Sequence, residues 1–407
     1  MSARWLIVAD DVSGAADCAV AFAARGAEAA VRWQSRSDAT AQQDPAVIAY
    51  DAGSRALPPA AASASQRMAL NRLYGPDRTL YMKIDSKLRG QPAVQIAAAL
   101  EILTSHRGRA FGVLAPAFPA IGATTLCGMV LSAGQPLANL VEVLAAAGVA
   151  AERVALATIR GDNAALRALF ARLARRMKCV AVCDAQTDED LVRIACAGLR
   201  ANASWFFAGS AGFARALAST RPAVSVNPIP VTPTGKGALI VVGSLARSSR
   251  EAARTLARQA RVRKIRPSFS MLAEQREPSR FPEFARSVIE GLEAGDDVLV
   301  EIPRGVPPDS LSAARLAQGL AYALRPAAAH LSGLVATGGE TAASLFAQFG
   351  IDGIRLVDEI EPGIPLGLTH GSLSIPVVTK AGAFGDHRCL QRVVARLRLV
   401  RREGLLR

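Results

Sequence analysis

The sequence predicts an α/β protein: two α/β domains with mostly parallel sheets, joined by a proline-rich hinge, with the active site in the interdomain cleft. Three observations carry this. Short β-branched runs alternate with alanine-rich helical ones along the whole chain. At 407 residues the chain exceeds one ordinary core and suits two domains of about 200 residues each. Finally, Pro222, Pro228, Pro230 and Pro233 crowd the stretch from Arg221 to Gly237, where they forbid a helix and disfavour a central strand. The expected domains are therefore 1–224 and 237–407.

In the first domain Leu6–Ala9, Val47–Tyr50, Leu80–Ile84, Phe111–Leu114, Val180–Cys183 and Trp205–Ala208 read as buried strands. Ala15 to Arg25 reads as a helix, with Ser13 as its expected N-cap and Gly26 at the left-handed cap position. In the second domain Leu239–Val242, Val298–Ile302 and Gly333–Ala336 read as strands, and helices are expected from Ser249, Asp309 and Glu340. Pro376–Thr379 is expected to close the series as a last strand. Aromatics make up only 5% of the chain, so the helices should pack on the sheets through Ala, Leu and Val.

Composition narrows the function classes. No apolar run approaches the roughly 20 residues of a membrane span. No basic-then-apolar leader precedes Trp5, so a cytoplasmic protein without a membrane partner is expected. The net charge is +14, and lysine occurs only at Lys83, Lys87, Lys178, Lys236, Lys264 and Lys380. The arginines, such as Arg167, Arg172, Arg175 and Arg176, are scattered along helical stretches without interleaved aromatics. A nucleic-acid partner is therefore not expected, and a basic field drawing in small anionic substrates is. The six cysteines form no CxxC pair and the four histidines are dispersed. Buried reduced thiols and no protein-made metal site follow as expectations. Amphipathic helices leave room for a homodimer face.

Ligands of open α/β sheets collect outside the carboxyl ends of strands. Asp10 and Asp11 sit at such an end, directly before Ser13-Gly14, where they can take a proton or meet the dipole of the following helix. Because side chains alternate along a strand, the two are expected to point apart, one catalytic and one structural. Asp-x-Asp, the pattern of a phosphatase, is absent, since Val12 follows Asp11. Lys83-Ile84-Asp85-Ser86-Lys87-Leu88-Arg89-Gly90 ends another strand. There Arg89 can grip a carboxylate while Lys83 neutralises developing charge, or the group is a solvated salt-bridge cluster. Ala115-Pro116-Ala117-Phe118-Pro119 stiffens a loop at the same edge.

In the second domain three glycine-bearing strand ends recur: Val242-Gly243-Ser244, Thr337-Gly338-Gly339-Glu340 and Thr379-Lys380-Ala381-Gly382-Ala383-Phe384-Gly385-Asp386. Each offers backbone amides to a polyphosphate. Neither a Walker A sequence nor G-x-G-x-x-G occurs, so the expected nucleotide site is neither P-loop nor Rossmann.

Taken in order, these motifs resemble the four-carbon acid sugar kinase family over essentially the whole chain. The resemblance implies ATP- and Mg2+-dependent phosphorylation of the terminal hydroxyl of threonate, erythronate or 3-oxo-tetronate. It also implies a sugar-acid domain followed by a nucleotide domain. By position, Asp10, Asp11, Lys83, Asp85 and Arg89 should face the sugar acid, with Asp11 the better candidate base. Ser244, Thr337, Gly338, Gly339, Glu340 and Gly382 should line the ATP. Where such kinases usually read Pro-x-x-Gly-Arg-Thr, this chain has Pro119-Ala-Ile-Gly122-Ala123-Thr124. Ala246 stands where a second serine often follows the Gly-Ser pair. Lys87 replaces a usual threonine and can restore the positive charge lost at Ala123. The alternative to an enzyme is a non-catalytic sensor that binds a sugar acid or nucleotide, and the missing arginine motivates it.

Overall fold

A computed structural model describes residues 4–33, 45–200, 205–225, 227–232, 234–273, 282–303 and 312–407. They divide into two compact units, one up to residue 225 and one from residue 227.

The first unit is built on strands β1 (Arg4–Ala9), β2 (Ala29–Trp33), β3 (Val47–Asp51), β4 (Arg78–Lys83) and β5 (Ala110–Ala115). A separate three-stranded antiparallel sheet follows, β6 (Ala123–Leu126), β7 (Met129–Ser132) and β8 (Gln135–Asn139). Then come β9 (Ala151–Val154), β10 (Lys178–Cys183) and β11 (Trp205–Gly209). The main sheet of this unit runs β2-β3-β1-β4-β11-β5-β10-β9, with every pairing parallel. Each strand read from the sequence is present and one or two residues longer at an end, except that the Leu80–Ile84 strand, which begins at Arg78, stops at Lys83 and leaves Ile84 outside. The small sheet, β2 and β9 were not read.

Alternation along β1 divides the core. Leu6 and Val8 face the layer that holds Leu70 and Ala69 of the Pro59–Leu73 helix and Ile96, Leu100 and Leu103 of the Pro92–Arg107 helix. Trp5 faces the other layer, where it stacks on Phe22 and Phe207 at ring distances of 5.1 and 5.8 Å. Here the expectation of Ala, Leu and Val packing needs correction. The few aromatics are concentrated on this face, where Phe111, Phe170 and Trp205 also meet. Large rings bury more apolar area per residue, and small alanines on the facing helices make room for them.

From β1 the chain turns toward β2 and β3 through the Val12–Ala23 helix, then crosses to β4 and β5 through helices on the opposite face. The carboxyl ends of β1 and β4 thus flank a topological switch point.

The second unit opens with β12 (Ile229–Pro230), which pairs antiparallel with β20 (Leu405–Leu406) at the end of the chain. Between them lie β13 (Gly237–Val242), β14 (Val262–Ile265), β15 (Asp297–Glu301), β16 (Leu331–Thr337), β17 (Ile351–Glu361), β18 (Ile364–Gly371) and β19 (Pro376–Lys380). The sheet order is β14-β15-β13-β16-β19-β18-β17. The first five are parallel, and β18 and β17 add antiparallel pairings. The Pro376–Lys380 strand does not close the domain, because the Cys389–Glu403 helix packs Val393, Val394 and Leu397 into its core. The helix expected from Ser249 starts at Arg247. The start expected at Asp309, like Pro233, falls outside the described residues, and the next helix, Ala313–Leu324, is capped by Ser312. A second switch point lies between β13 and β16. Of the six free cysteines, Cys127 and Cys196 are exposed, contrary to expectation, and the other four are buried. Among the described residues, no helix is long and apolar enough to cross a membrane.

Candidate active site

The carboxyl ends of β1, β3 and β4 are level, since Ala9 pairs with Asp51 and Val8 with Met82. At this edge one residue that the sequence reading passed over organises the rest. Arg55 lies four residues beyond β3, and the amides of Ser54 and Arg55 both donate to the Asp10 carbonyl, at 3.0 and 3.1 Å. Its guanidinium donates to both Asp10 carboxylate oxygens, Nε to Oδ2 at 2.9 Å and Nη2 to Oδ1 at 2.8 Å. Nη1 pairs with Asp11 Oδ2, and Nη2 lies 3.7 Å from Asp85 Oδ2.

Asp10 and Asp11 therefore do not point apart. Strand β1 stops at Ala9, so strand alternation no longer governs them, and one planar fork spans both.

Ser13 is not the helix cap either. Asp11 is: its backbone is extended and its Oδ1 accepts the Gly14 amide at 2.7 Å, one residue before the Val12–Ala23 helix begins. Ser13 is buried within the first turn, and its hydroxyl has no hydrogen-bond partner among the described residues. The two aspartates differ in access: the Asp10 side chain is 1% exposed and that of Asp11 13%.

Asp85 is gripped in turn. Arg89 donates Nε to Oδ1 at 3.1 Å and Nη2 to Oδ2 at 2.6 Å, and the Lys87 amide donates to Oδ1 at 2.9 Å. The fork that the sequence offered to a substrate carboxylate thus holds a carboxylate of its own chain, though the Arg89 side chain remains 53% exposed. Lys87 is exposed, whereas Lys83 is buried. Asp10, Asp11 and Asp85 face Arg55, Lys83 and Arg89, so the cluster is close to neutral as a whole.

The environment separates these carboxyls. Burial pushes Asp11 above its ordinary value; Arg55 opposes this and Asp10 reinforces it. At Asp85 burial also works against the charge, but Arg89, Lys83 and Arg55 outweigh it and hold the carboxyl well below the usual range. Burial disfavours the Lys83 ammonium, yet its neighbours, Cys18 first and then Asp10 and Asp85, keep it above its ordinary value. Asp51 is pushed up to about 7, chiefly by burial and against a 2.7 Å hydrogen bond from the Gly53 amide.

A carboxyl raised on folding favours the native state below its unfolded value near 4, and that advantage is lost as pH climbs to about 7. Asp51→Asn is accordingly expected to flatten a decline of the order of a few kcal/mol over that window. Urea midpoints of both proteins at pH 5 and pH 8 check this, and superimposable profiles would exclude the titration.

Gly90 supports Asp10 from behind. Its φ is +82°, and a Cβ there would lie 2.7 Å from Asp10 Oδ2. Gly90→Ala is expected to cost about 1–3 kcal/mol through left-handed strain alone, and more if Asp10 must shift. Chemical denaturation measures the loss.

In the second unit the parallel neighbours β13, β16 and β19 bring all three glycine turns to one edge. Gly338, with φ +102°, caps the Gly339–Phe349 helix, and its amide donates to the Lys380 carbonyl at 2.8 Å. A Cβ on Gly382 would collide with Ser244, whose hydroxyl accepts the Ala246 amide at 3.2 Å. Ser244, Gly338, Gly339 and Gly382 are thus gathered, with Glu340 exposed in the first turn of the helix. Thr337 is fully buried, and its hydroxyl has no partner among the described residues.

Two residues without an assigned role complete this edge. Buried Lys380 donates to Ser249 Oγ at 2.9 Å and to the carbonyls of Ala381 and Gly382 at 3.2 and 3.3 Å. Burial lowers its ammonium to about 8. The Ser249 hydroxyl donates to the Gly382 carbonyl at 2.5 Å.

A partly accessible carboxyl of raised proton affinity, flanked by cations, can take a proton from a hydroxyl. A helix start behind glycine turns can receive phosphate oxygens. Among the described residues no three His, Cys, Asp or Glu side chains gather as a protein-made metal cage requires. Mg2+ usually needs only one or two carboxylates besides phosphate oxygens and water. Glu340, exposed in the first turn of the Gly339–Phe349 helix, is a carboxylate at these turns that would suit such an ion.

Residues 5–217 match the family description "Sugar-binding N-terminal domain" and residues 239–390 match "Nucleotide-binding C-terminal domain". The chain is 37% identical over 404 residues to a D-threonate kinase of Cupriavidus necator, covering 95% of this chain and 96% of the relative. It is 33% identical over 415 residues to a D-threonate kinase of Bordetella bronchiseptica, covering 96% and 97%. The crystal structure of a Haemophilus influenzae protein superposes with a TM-score of 0.70 at 20% identity, covering 95% of this chain and 98% of that one, and so shares the fold. With both domains matched in order and relatives aligned end to end, the chain belongs to the four-carbon acid sugar kinase family.

Proposed function

We propose that this protein transfers the γ-phosphoryl group of ATP to the terminal hydroxyl of a four-carbon acid sugar, with D-threonate the first candidate. The observation that carries the reading is Asp11: a partly accessible carboxyl, raised by burial and set between Arg55 and Lys83, in the domain whose family description is sugar-binding. The kinship with D-threonate kinases supports the choice of acceptor.

In this reading Asp11 accepts the hydroxyl proton as the oxygen attacks the γ-phosphorus in line. Lys83 and Arg55 keep the carboxylate oriented and offset the charge that gathers near it. Lys87 and the exposed side of Arg89 attract the acid's carboxylate. The amides after Gly338, together with Ser244 and Gly382, receive the triphosphate. Magnesium, held by the phosphates and Glu340, neutralises their charge.

The test is an ADP-release assay on the purified protein with ATP, Mg2+ and a panel of D-threonate, D-erythronate, 3-oxo-tetronate and longer aldonates. Phosphorus NMR of the product locates the new ester. Turnover with a tetronate, phosphorylated at C4, is expected. Saturable binding of a tetronate without ADP release would instead establish the sensor alternative.

A further inference from the structure

We propose that the second domain carries another anion site, at the sheet edge opposite the glycine turns, which takes a small phosphate-bearing anion. A cavity of about 410 Å3 there is lined by Lys236, Arg261, Gly295, Arg398, Arg401 and Arg402. Lys236 directly precedes β13, Arg261 directly precedes β14, and Gly295 lies in the turn before β15. The three arginines from 398 onward come from the last turns of the Cys389–Glu403 helix. Because β13, β14 and β15 are parallel, the starts of these strands share one edge, and Gly243 lies at the other.

The site is held in shape by the protein itself. Asp297, 1% exposed at the start of β15, accepts Arg398 Nε at 2.6 Å and Arg401 Nη1 at 3.3 Å, and its other bond is from the Ala238 amide at 3.0 Å. Arg401 Nη1 also donates to Ser332 Oγ at 3.0 Å. Arg261 has a left-handed backbone, φ +61°, uncommon for a residue with a side chain. Its carbonyl accepts the Asp297 amide at 2.9 Å, and its Nη2 donates to the Ala294 carbonyl at 3.2 Å. Three guanidinium groups are thus oriented before any ligand arrives. Asp296 lies 3.8 Å from Arg261 Nε, and Lys236 and Arg402 have no acidic partner among the described residues, so the cavity carries more positive charge than Asp296 and Asp297 offset.

Arginines in the last turn complement a helix's negative end. That accounts for Arg401 and Arg402 but not for Lys236 and Arg261, which reach the same space from other elements. Guanidinium forks match the oxygens of phosphate, and the volume suits a small ligand. The lining holds no aromatic ring on which nucleobases of a single strand would stack.

The test titrates pyrophosphate calorimetrically into the full-length protein, with and without a saturating non-hydrolysable ATP analogue. Orthophosphate and ADP in parallel runs tell free phosphate from nucleotide phosphate as the preferred source. One equivalent of pyrophosphate is expected to bind in the presence of the analogue. The double variant K236Q/R402Q should bind it about tenfold or more weakly while keeping the wild-type melting temperature and turnover. Loss of binding when the analogue is present, or equal affinity in the double variant, would overturn the proposal. So would an RNA oligomer that binds more tightly than pyrophosphate and is released by the same two substitutions.

Discussion

Arg55→Met should lower turnover by at least about 10²-fold and destabilise the protein by about 2–4 kcal/mol. The guanidinium closes on Asp10 and Asp11 and lies near Asp85, so its loss strands buried negative charge with only Lys83 and Arg89 to answer it. Breaking a buried pair typically costs 3–5 kcal/mol, and the figure is reduced here because the Arg55 side chain is 23% exposed. The pH dependence carries a definite sign. Arg55 lowers the Asp11 carboxyl against the pull of burial, so removing it raises that carboxyl further. A base must be ionised to act, so the acidic limb of the kcat/KM profile should move to higher pH. The stability deficit should shrink toward low pH, where the stranded carboxylates protonate. Arg55→Lys restores the charge without the fork and should recover stability better than turnover. An unchanged acidic limb in Arg55→Met would show that the guanidinium does not tune the reacting carboxylate.

Asp11→Asn is expected to lose about 10²–10⁴-fold in turnover, the usual worth of a positioned base. This substitution separates the helix cap that Asp11 provides from the base we propose it to be. Asparagine keeps an oxygen for the Gly14 amide, so the cap of the Val12–Ala23 helix should survive, but its amide nitrogen then faces Arg55 Nη1, and about 1–3 kcal/mol of stability should go with the lost ion pair. It cannot take up the proton. Steady-state kinetics should show kcat falling with KM for ATP nearly unchanged, and thermal denaturation should show an intact fold. If turnover is retained at saturating ATP, Asp11 is only a cap. Asp10→Asn makes the comparison: with the Asp10 side chain almost fully buried against Arg55, its loss should register in stability more than in kcat.

Much of this protein was legible in its residues. The buried strands announced themselves as short apolar runs, because a parallel sheet covered on both faces leaves no polar alternation. The candidate side chains lie just past those runs. Arg55 carries the same signal past Val47–Tyr50, where Asp51-Ala52-Gly53-Ser54-Arg55 offers an acid, a glycine turn and a cation. Lys380 stood inside a recognised motif, but nothing in the chain order says that it is buried against Ser249, 131 residues away. Strands β17 and β18 and the small β6–β8 sheet were missed for another reason. Their segments are interrupted at short intervals by polar residues, or in β18 by Pro and Gly, and resemble loops until they are paired.

By itself, then, the chain determined most of the buried parallel strands, that they form two successive α/β series, and which motifs sit at strand ends, since these are set by local patterning and short-range turn chemistry. Only the tertiary structure decided that β1 lies between β3 and β4, and therefore that one arginine joins two aspartates from another strand end and neighbours a third. Strand neighbours are chosen by long-range packing and crossover handedness, and side-chain partners across a sheet edge follow from that choice rather than from spacing along the chain.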